Sequence, residues 1–241
     1  MTDTNNIIQS LWIGKALSDM EQLCIESYLQ NGHAFHLYAY AGIENVPAGT
    51  VLCNANEVIH HSRIFLDNRG SVASFADWFR YQLLYEKGGW WVDMDTVCLQ
   101  YFSIEAPCCF VTEGAMNGRE GKITNGYIKS YPGNSILKDC LEFILAADHG
   151  AVQWGSFGPA LLQEMVQRND GMAFVQPPAG FNPVHWFEMY KLITRQENLD
   201  CSRAFGVHLW NEIWRLGYLD KNATYHPDSL YERLKRTYLL L

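Results

Sequence analysis

Apolar and polar positions along the chain alternate between two periods. Ile7–Ile13 (IIQSLWI) is apolar and rich in β-formers, which predicts a first strand. Ser18-Asp-Met-Glu21 then spells a capping box, predicting a helix that opens there and stops near Gly32. Phe35–Tyr40 (FHLYAY) returns to β-formers, so the order is strand, helix, strand, the mark of a parallel βαβ unit. Ser74–Lys87 reads as a second long helix, ended by Gly88-Gly89, where a glycine takes the left-handed conformation at little cost. A short strand from Trp90 to about Val97 is expected next. Asn134–Ala147 and Pro159–Arg168 read as helices, Phe205–Leu209 as a strand running into Trp210-Asn211, and Gln176–Trp186, rich in Pro and Gly, as a loop. No internal repeat or low-complexity linker breaks the pattern, so residues 1–241 are expected to form one α/β domain.

One strand in this scheme is unusual. Asp93 and Asp95 follow Trp90-Trp91-Val92 and, as alternate residues of a strand, would project to one face. Two carboxylates so placed repel unless a cation lies between them, and oxygen-rich sites of this kind suit Mg²⁺ or Mn²⁺, which also bridge to phosphates. A D-x-D tripeptide alone fits a hydrated strand end equally well. The preceding helix adds Asp77 and Arg80, neighbours on one helix face at i and i+3. The helix passes through the double glycine directly into the acidic strand, which would bring that arginine near both aspartates.

Composition narrows the partners. The formal charge is −8, with no long basic run outside the C-terminal stretch, which argues against a nucleic-acid binder. The aromatic share of 14%, with eight Trp, serves a core but also stacks on sugars and bases. Seven Cys, an odd number without a CxxC pair, fit reduced thiols in a cytosolic compartment better than a disulfide scaffold or a zinc site. No signal peptide or membrane-spanning run is apparent, so a cytoplasmic protein is expected. The tail Tyr231–Leu241 (YERLKRTYLLL), basic then apolar, reads either as a packed terminal helix or as a peripheral contact with a membrane surface. The GxGxxG pattern is absent, so nothing points to a nicotinamide or flavin.

Ala76-Asp77-x-x-Arg80, Leu84-Tyr85, Gly88-Gly89 and Asp93-x-Asp95, taken as one linked pattern, resemble the signature of sugar-nucleotide glycosyltransferases of the GT-A kind. More narrowly they resemble the group with a sugar-binding region containing a DXD motif. That group includes α-1,4-galactosyltransferases, yeast-type α-1,6-mannosyltransferases and, more distantly, the glucosylating domain of large clostridial toxins. Trp12-Ile13-Gly14 is similar to the group's WIGG start, with Lys15 in place of the second glycine. Gly206–Asn211 (GVHLWN) is similar to an AVHLWN segment, Gly158-Pro159 to a GP landmark, and Thr124-Asn125-Gly126 partly to an NN segment.

The resemblance implies a GT-A fold: a Rossmann-like, nucleotide-sugar-binding single domain with a mixed, mainly parallel sheet flanked by helices. It implies metal-dependent transfer, with retention, from a nucleotide-sugar to a hydroxyl of a glycan or lipid-linked oligosaccharide, as in bacterial surface polysaccharide synthesis. Asp95 would be the direct ligand of Mn²⁺ or Mg²⁺, and Asp93 would meet the ribose, the sugar or a metal-bound water. His208 and Asn211 would complete the metal shell. Asp77 and Arg80 would hold donor-sugar hydroxyls, with Asn125 facing the same sugar. Trp12, followed by Ile13 and Gly14, would stack on uracil, which favours UDP-sugars.

Two other readings compete. Asp93-Met-Asp95-Thr-Val97 also matches the D-x-D-x-[TV] motif of haloacid-dehalogenase-like phosphohydrolases, though that motif usually lies near the N-terminus and no DD or GDxxxD follows here. A catalytically inactive sugar-binding protein with a transferase fold has no evident use for Asp77, Arg80, Asp93 and Asp95 together. A toxin-like effector acting on a host protein is the alternative to polysaccharide synthesis.

Overall fold

A computed structural model of the chain describes residues 5–115, 121–197 and 199–239. Strand β1 (Ile7–Trp12) leads to helix α1 (Asp19–Gln30) and strand β2 (Ala34–Ala39), the expected βαβ unit. The capping box is present: the Glu21 carboxylate accepts the Ser18 backbone N–H at 2.8 Å and its hydroxyl at 2.6 Å. β1 and β2 run parallel in register from Ile7↔Ala34 to Trp12↔Ala39, and β3 (Val51–Asn54), which the pattern did not announce, adds to β2. Helix α2 (Ala73–Lys87) ends at Gly88, and β4 (Gly89–Val92) lies beside β1. Gly88 has φ +67°, and a Cβ there would fall 2.7 Å from Pro132 Cδ and 3.0 Å from the Ser130 carbonyl oxygen. Both conformation and space therefore demand glycine.

The far half of the sheet comes from β6 (Cys109–Thr112), β7 (Ile123–Ser130) and the two-residue edge β8 (Val175–Gln176). Numbered along the chain, the seven strands lie in the order β3-β2-β1-β4-β7-β6-β8. β7 is antiparallel to both β4 and β6 while the other pairings are parallel, so the sheet is mixed and mainly parallel. The carboxyl ends of β1, β4 and β6 therefore open on one edge, where ligands of open α/β sheets collect. Part of the expected 176–186 loop is thus the sheet's last strand.

Side-chain alternation splits the core between the two faces. Trp91 joins Phe75, Phe79, Ile128 and Leu137 beneath α2, α3 (Ser135–Ala146) and α4 (Pro159–Arg168). Trp90 and Val92 join Ile8, Tyr28, Phe35 and Tyr127 on the opposite face, under α1. A third cluster forms around a separate antiparallel ribbon of β5 (Thr96–Cys98) and β9 (Gly206–His208), with Trp214 of α5 (Asn211–Leu216) and Tyr231 and Leu234 of α6 (Leu230–Tyr238). The tail thus forms a helix with buried apolar residues; residues 240 and 241 lie outside the described residues. No described helix is long and apolar enough to cross a membrane.

The strand expected from Trp90 to about Val97 is corrected: β4 stops at Val92 and β5 belongs to the ribbon. Asp93-Met94-Asp95 is the turn between them, closed by the Thr96 N–H (3.1 Å) and hydroxyl (2.8 Å) donating to the Asp93 carbonyl. The chain leaves the sheet here because β5 finds its partner in β9. The two aspartates meet through a turn and not through strand alternation.

Candidate active site

The turn places the acids against the end of β9. The Asp95 carboxylate accepts the Asn211 backbone N–H at 2.7 Å, and both its oxygens lie 3.2 Å from His208 Nε2. The Leu209 N–H donates to the Asp95 carbonyl at 2.8 Å, so residues 208–211 clamp Asp95 from two sides. Asp93 is the more open acid; its Oδ1 accepts Trp91 Nε1 at 2.9 Å and faces Arg80 at 3.0 Å. Gly126 makes the close packing possible, since a Cβ there would fall 3.0 Å from the His208 ring.

One ligand atom each from Asp93, Asp95 and His208 lies within 4.8 Å of the others. Two carboxylates and an imidazole form a donor set that a divalent cation accepts, and His208 Nδ1 is buried without a hydrogen-bond partner. These residues fit a metal ion. Burial works against an imidazolium at 208, yet the Asp95 carboxylate lifts His208 above its ordinary range. Burial likewise works against the Asp95 charge, but His208 and the Asn211 N–H hold its carboxyl below the usual value. Asn211 reaches Asp95 through its backbone.

The donor-binding pair expected on α2 is buried beside this cluster. Arg80, 5% exposed, donates to the Asn125 carbonyl at 2.8 Å, lies 3.4 Å from Asp77 Oδ1, and stacks 4.9 Å over the Trp91 ring. Asn125 Nδ2 donates to Asp77 Oδ1 at 2.5 Å. The guanidinium thus ties the helix to both β7 and the acidic turn. A Cβ on Gly158 would stand 3.3 Å from Asp77 Oδ2 and 3.6 Å from Asn125 Nδ2, so the bare glycine leaves room against that pair.

Burial pushes the Asp77 carboxyl up; Arg80 pulls it back, Asp93 and Asp67 push it further, and it settles at about 7. The native state then holds a proton that the unfolded chain loses near pH 4, so this group's stabilising contribution is complete at low pH and falls as pH rises towards 7. In EDTA, the urea midpoint of the wild type should fall between pH 5 and pH 8 more steeply than that of Asp77→Asn. Equal slopes would show that Asp77 stays charged throughout. His208, raised as well, adds a loss of the same sign in both proteins and cancels from the comparison.

Trp12 ends β1 at the same sheet edge, half-buried, with Ile13 and Gly14 exposed after it. Its indole lies over Gly14, whose added Cβ would fall 2.8 Å from Nε1, and Lys221 Nζ is 5.9 Å from the ring centre. Sequence reasoning missed Trp91 as a partner of Asp93, although the two are i and i+2 on one side of the chain. It also missed Glu113, which follows β6 and lies within the field of His208. A lone loop glutamate carries no local signal.

Residues 18–110 match the family model described as "Glycosyltransferase sugar-binding region containing DXD motif", and residues 130–238 match "Alpha 1,4-glycosyltransferase conserved region". No curated protein matches the sequence. Among solved structures, the chain is similar to the UDP-bound glycosyltransferase domain from the YGT toxin, at 9% identity and TM-score 0.50, covering 71% of this chain and 79% of that one. The ligand-free form of that domain gives TM-score 0.50 at 9% identity, with 72% and 80% covered. The PaToxG glycosyltransferase is similar at 15% identity and TM-score 0.47, with 68% and 69% covered. Sequence signature, sheet topology and matched models agree: the chain is a glycosyltransferase of the GT-A fold, similar over residues 18–110 to the family whose sugar-binding region carries the DXD motif and over residues 130–238 to the α-1,4-glycosyltransferase region.

Proposed function

We propose that the protein is a single catalytic domain that moves a sugar from a UDP-sugar, with retention, to a hydroxyl of a glycan or lipid-linked oligosaccharide, using Mn²⁺ or Mg²⁺. The observation that carries this is one guanidinium, Arg80, joining two groups: the Asp93–Asp95–His208 cluster and the Asp77–Asn125 pair. A nucleotide-sugar has the same two parts, a diphosphate and a sugar, joined at the bond to be broken. A cation held by Asp93, Asp95 and His208, with Asn211 beside them, would supply positive charge to the departing diphosphate of an otherwise acidic protein. Arg80, anchored on both sides, is preorganised to stabilise charge as that bond lengthens. Asp77 and Asn125 would hold the sugar hydroxyls and fix the ring for attack.

Retention without a covalent intermediate is favoured by how the carboxylates are engaged. Asp77 is bonded to Arg80 and Asn125, and Asp93 to Arg80 and Trp91, so neither is a free nucleophile. The acceptor hydroxyl would then attack on the side the diphosphate leaves. All seven cysteines are free, in keeping with a reducing, cytoplasmic setting.

A panel of UDP- and GDP-sugars with Mn²⁺, read as release of nucleoside diphosphate, tests this function. Metal-dependent release of UDP is expected. Binding of UDP-sugars with no release would make the protein a sugar-binding module. Phosphate release from simple phosphomonoesters, with phosphorylation of Asp93, would make it a phosphohydrolase.

Base stacking supplies a second test. An aromatic ring on a base is worth about 1–3 kcal/mol, so Trp12→Ala should weaken UDP binding roughly tenfold to a hundredfold. Trp12→Phe should recover much of the loss in isothermal titration. Unchanged UDP affinity with lowered stability in Trp12→Ala would make Trp12 a core residue and remove the preference for UDP.

A further inference from the structure

A cleft of about 400 Å³ opens between the 178–185 segment and the 200–204 segment, lined by Pro178, Ala179, Pro183, His185, Cys201 and Arg203 among others. Its volume is in the range of small-ligand sites, about 300–1,000 Å³.

Its near wall is tied to the acidic cluster by a chain of contacts. The His208 ring stacks on Trp210 at 3.9 Å, and Trp210 Nε1 donates to the Val184 carbonyl at 2.8 Å. The next residue, His185, lies flat against Gly114, where any side chain would collide with its ring. Asn182 Nδ2 donates to the Thr112 carbonyl at 3.1 Å, fixing the same segment to the end of β6. β6 runs in the same direction as β4, so Glu113 and Gly114 leave the sheet at the edge where Asp93 does. The far wall follows from the Phe205 N–H donating to the Gly180 carbonyl at 2.7 Å, on the approach to β9. The cleft is thus linked to the acidic cluster through Trp210 and Val184, with His185 on the wall nearest that link and Arg203 across from it.

The nucleotide and the donor sugar have other places along this edge. Trp12 ends β1 on one side of the acidic turn, and Asp77, Asn125 and Gly158 gather on the α2 side. The β6 side is left for the second substrate. We propose that this cleft is the acceptor site and takes a glycan of about two sugar units. The flat faces of Pro178, Pro183 and His185 suit the apolar faces of sugar rings, and Asp200 and Arg203 offer an acceptor and a donor for their hydroxyls. This inference rests on the transferase reading above.

The test uses the whole protein with UDP and Mg²⁺ and a set of probes: methyl α- and β-glycosides of glucose, galactose and mannose, with lactose and maltose. Saturation-transfer NMR reads glycoside binding, and calorimetry reads UDP binding at the separate donor site. Ala179→Trp fills the exposed mouth of the cleft, and Ala179→Ser leaves it open. At least one probe should bind the wild type and Ala179→Ser, with its signal reduced fivefold or more in Ala179→Trp and in Arg203→Ala, while UDP affinity stays within twofold. Probe signals that persist in both closed and Arg203→Ala variants overturn the assignment. So does a wild type that binds UDP but none of the glycosides. Failure of the wild type to bind UDP would instead overturn the UDP-sugar reading beneath it.

Discussion

Asp95→Asn is expected to lower metal-dependent UDP release at least a hundredfold, about 3 kcal/mol at the transition state. The change is nearly isosteric, so the amide oxygen can still accept the Asn211 N–H that holds residue 95 in place at 2.7 Å. What it removes is charge. His208 Nε2, 3.2 Å from both Asp95 oxygens, loses the carboxylate that lifts its pKa, and the three-residue donor set loses one of two negative ligands. EDTA should reduce the wild type to about the level of the variant, and the two treatments together should cost no more than either alone. Full activity in EDTA, or a variant close to the wild type, would remove the metal from the mechanism. Thermal melts of both proteins in EDTA separate a loss of chemistry from a loss of fold.

Much of this site was legible because it is local in sequence. One helix, one double-glycine turn and one acidic tripeptide carry Asp77, Arg80, Asp93 and Asp95, and their spacing survives any error about the rest of the sheet. Helix α4 was legible for a similar reason: Pro159 at its first position and Gly158 before it mark the start without tertiary help. The ribbon of β5 and β9 was not legible, because its pairing of Thr96 with His208 joins residues far apart in the chain. Only that pairing ends β4 at Val92 and makes a turn of the acidic tripeptide. Strand β7 was hidden by Asn125-Gly126, a dipeptide that locally signals a turn. Inside the strand it does something else: Asn125 binds Asp77, and the missing side chain at 126 admits His208. The β6 side was silent, since Glu113 and His185 are single polar residues in loops.

Arg80→Lys should cut donor turnover at least tenfold while moving the melting temperature by only a few degrees. The guanidinium meets three acceptors through its two terminal nitrogens: Asp93 at 3.0 Å, Asp77 at 3.4 Å and the Asn125 carbonyl at 2.8 Å. A single ammonium keeps the charge but cannot span that fork, nor stack on Trp91 as a planar group does. Arg80→Ala is expected to behave differently. Removing the guanidinium leaves the Asn125 carbonyl without its donor and the half-buried Asp93 without its cation, and a buried polar group left unsatisfied costs about 1–3 kcal/mol, more for a charged one. Unfolding midpoints in urea should therefore fall sharply for Arg80→Ala and little for Arg80→Lys, while both lose turnover. That split would separate two roles of one side chain, its charge for the fold and its shape for the donor. An Arg80→Lys protein that turns over donor within twofold of the wild type would leave Arg80 with the structural role alone.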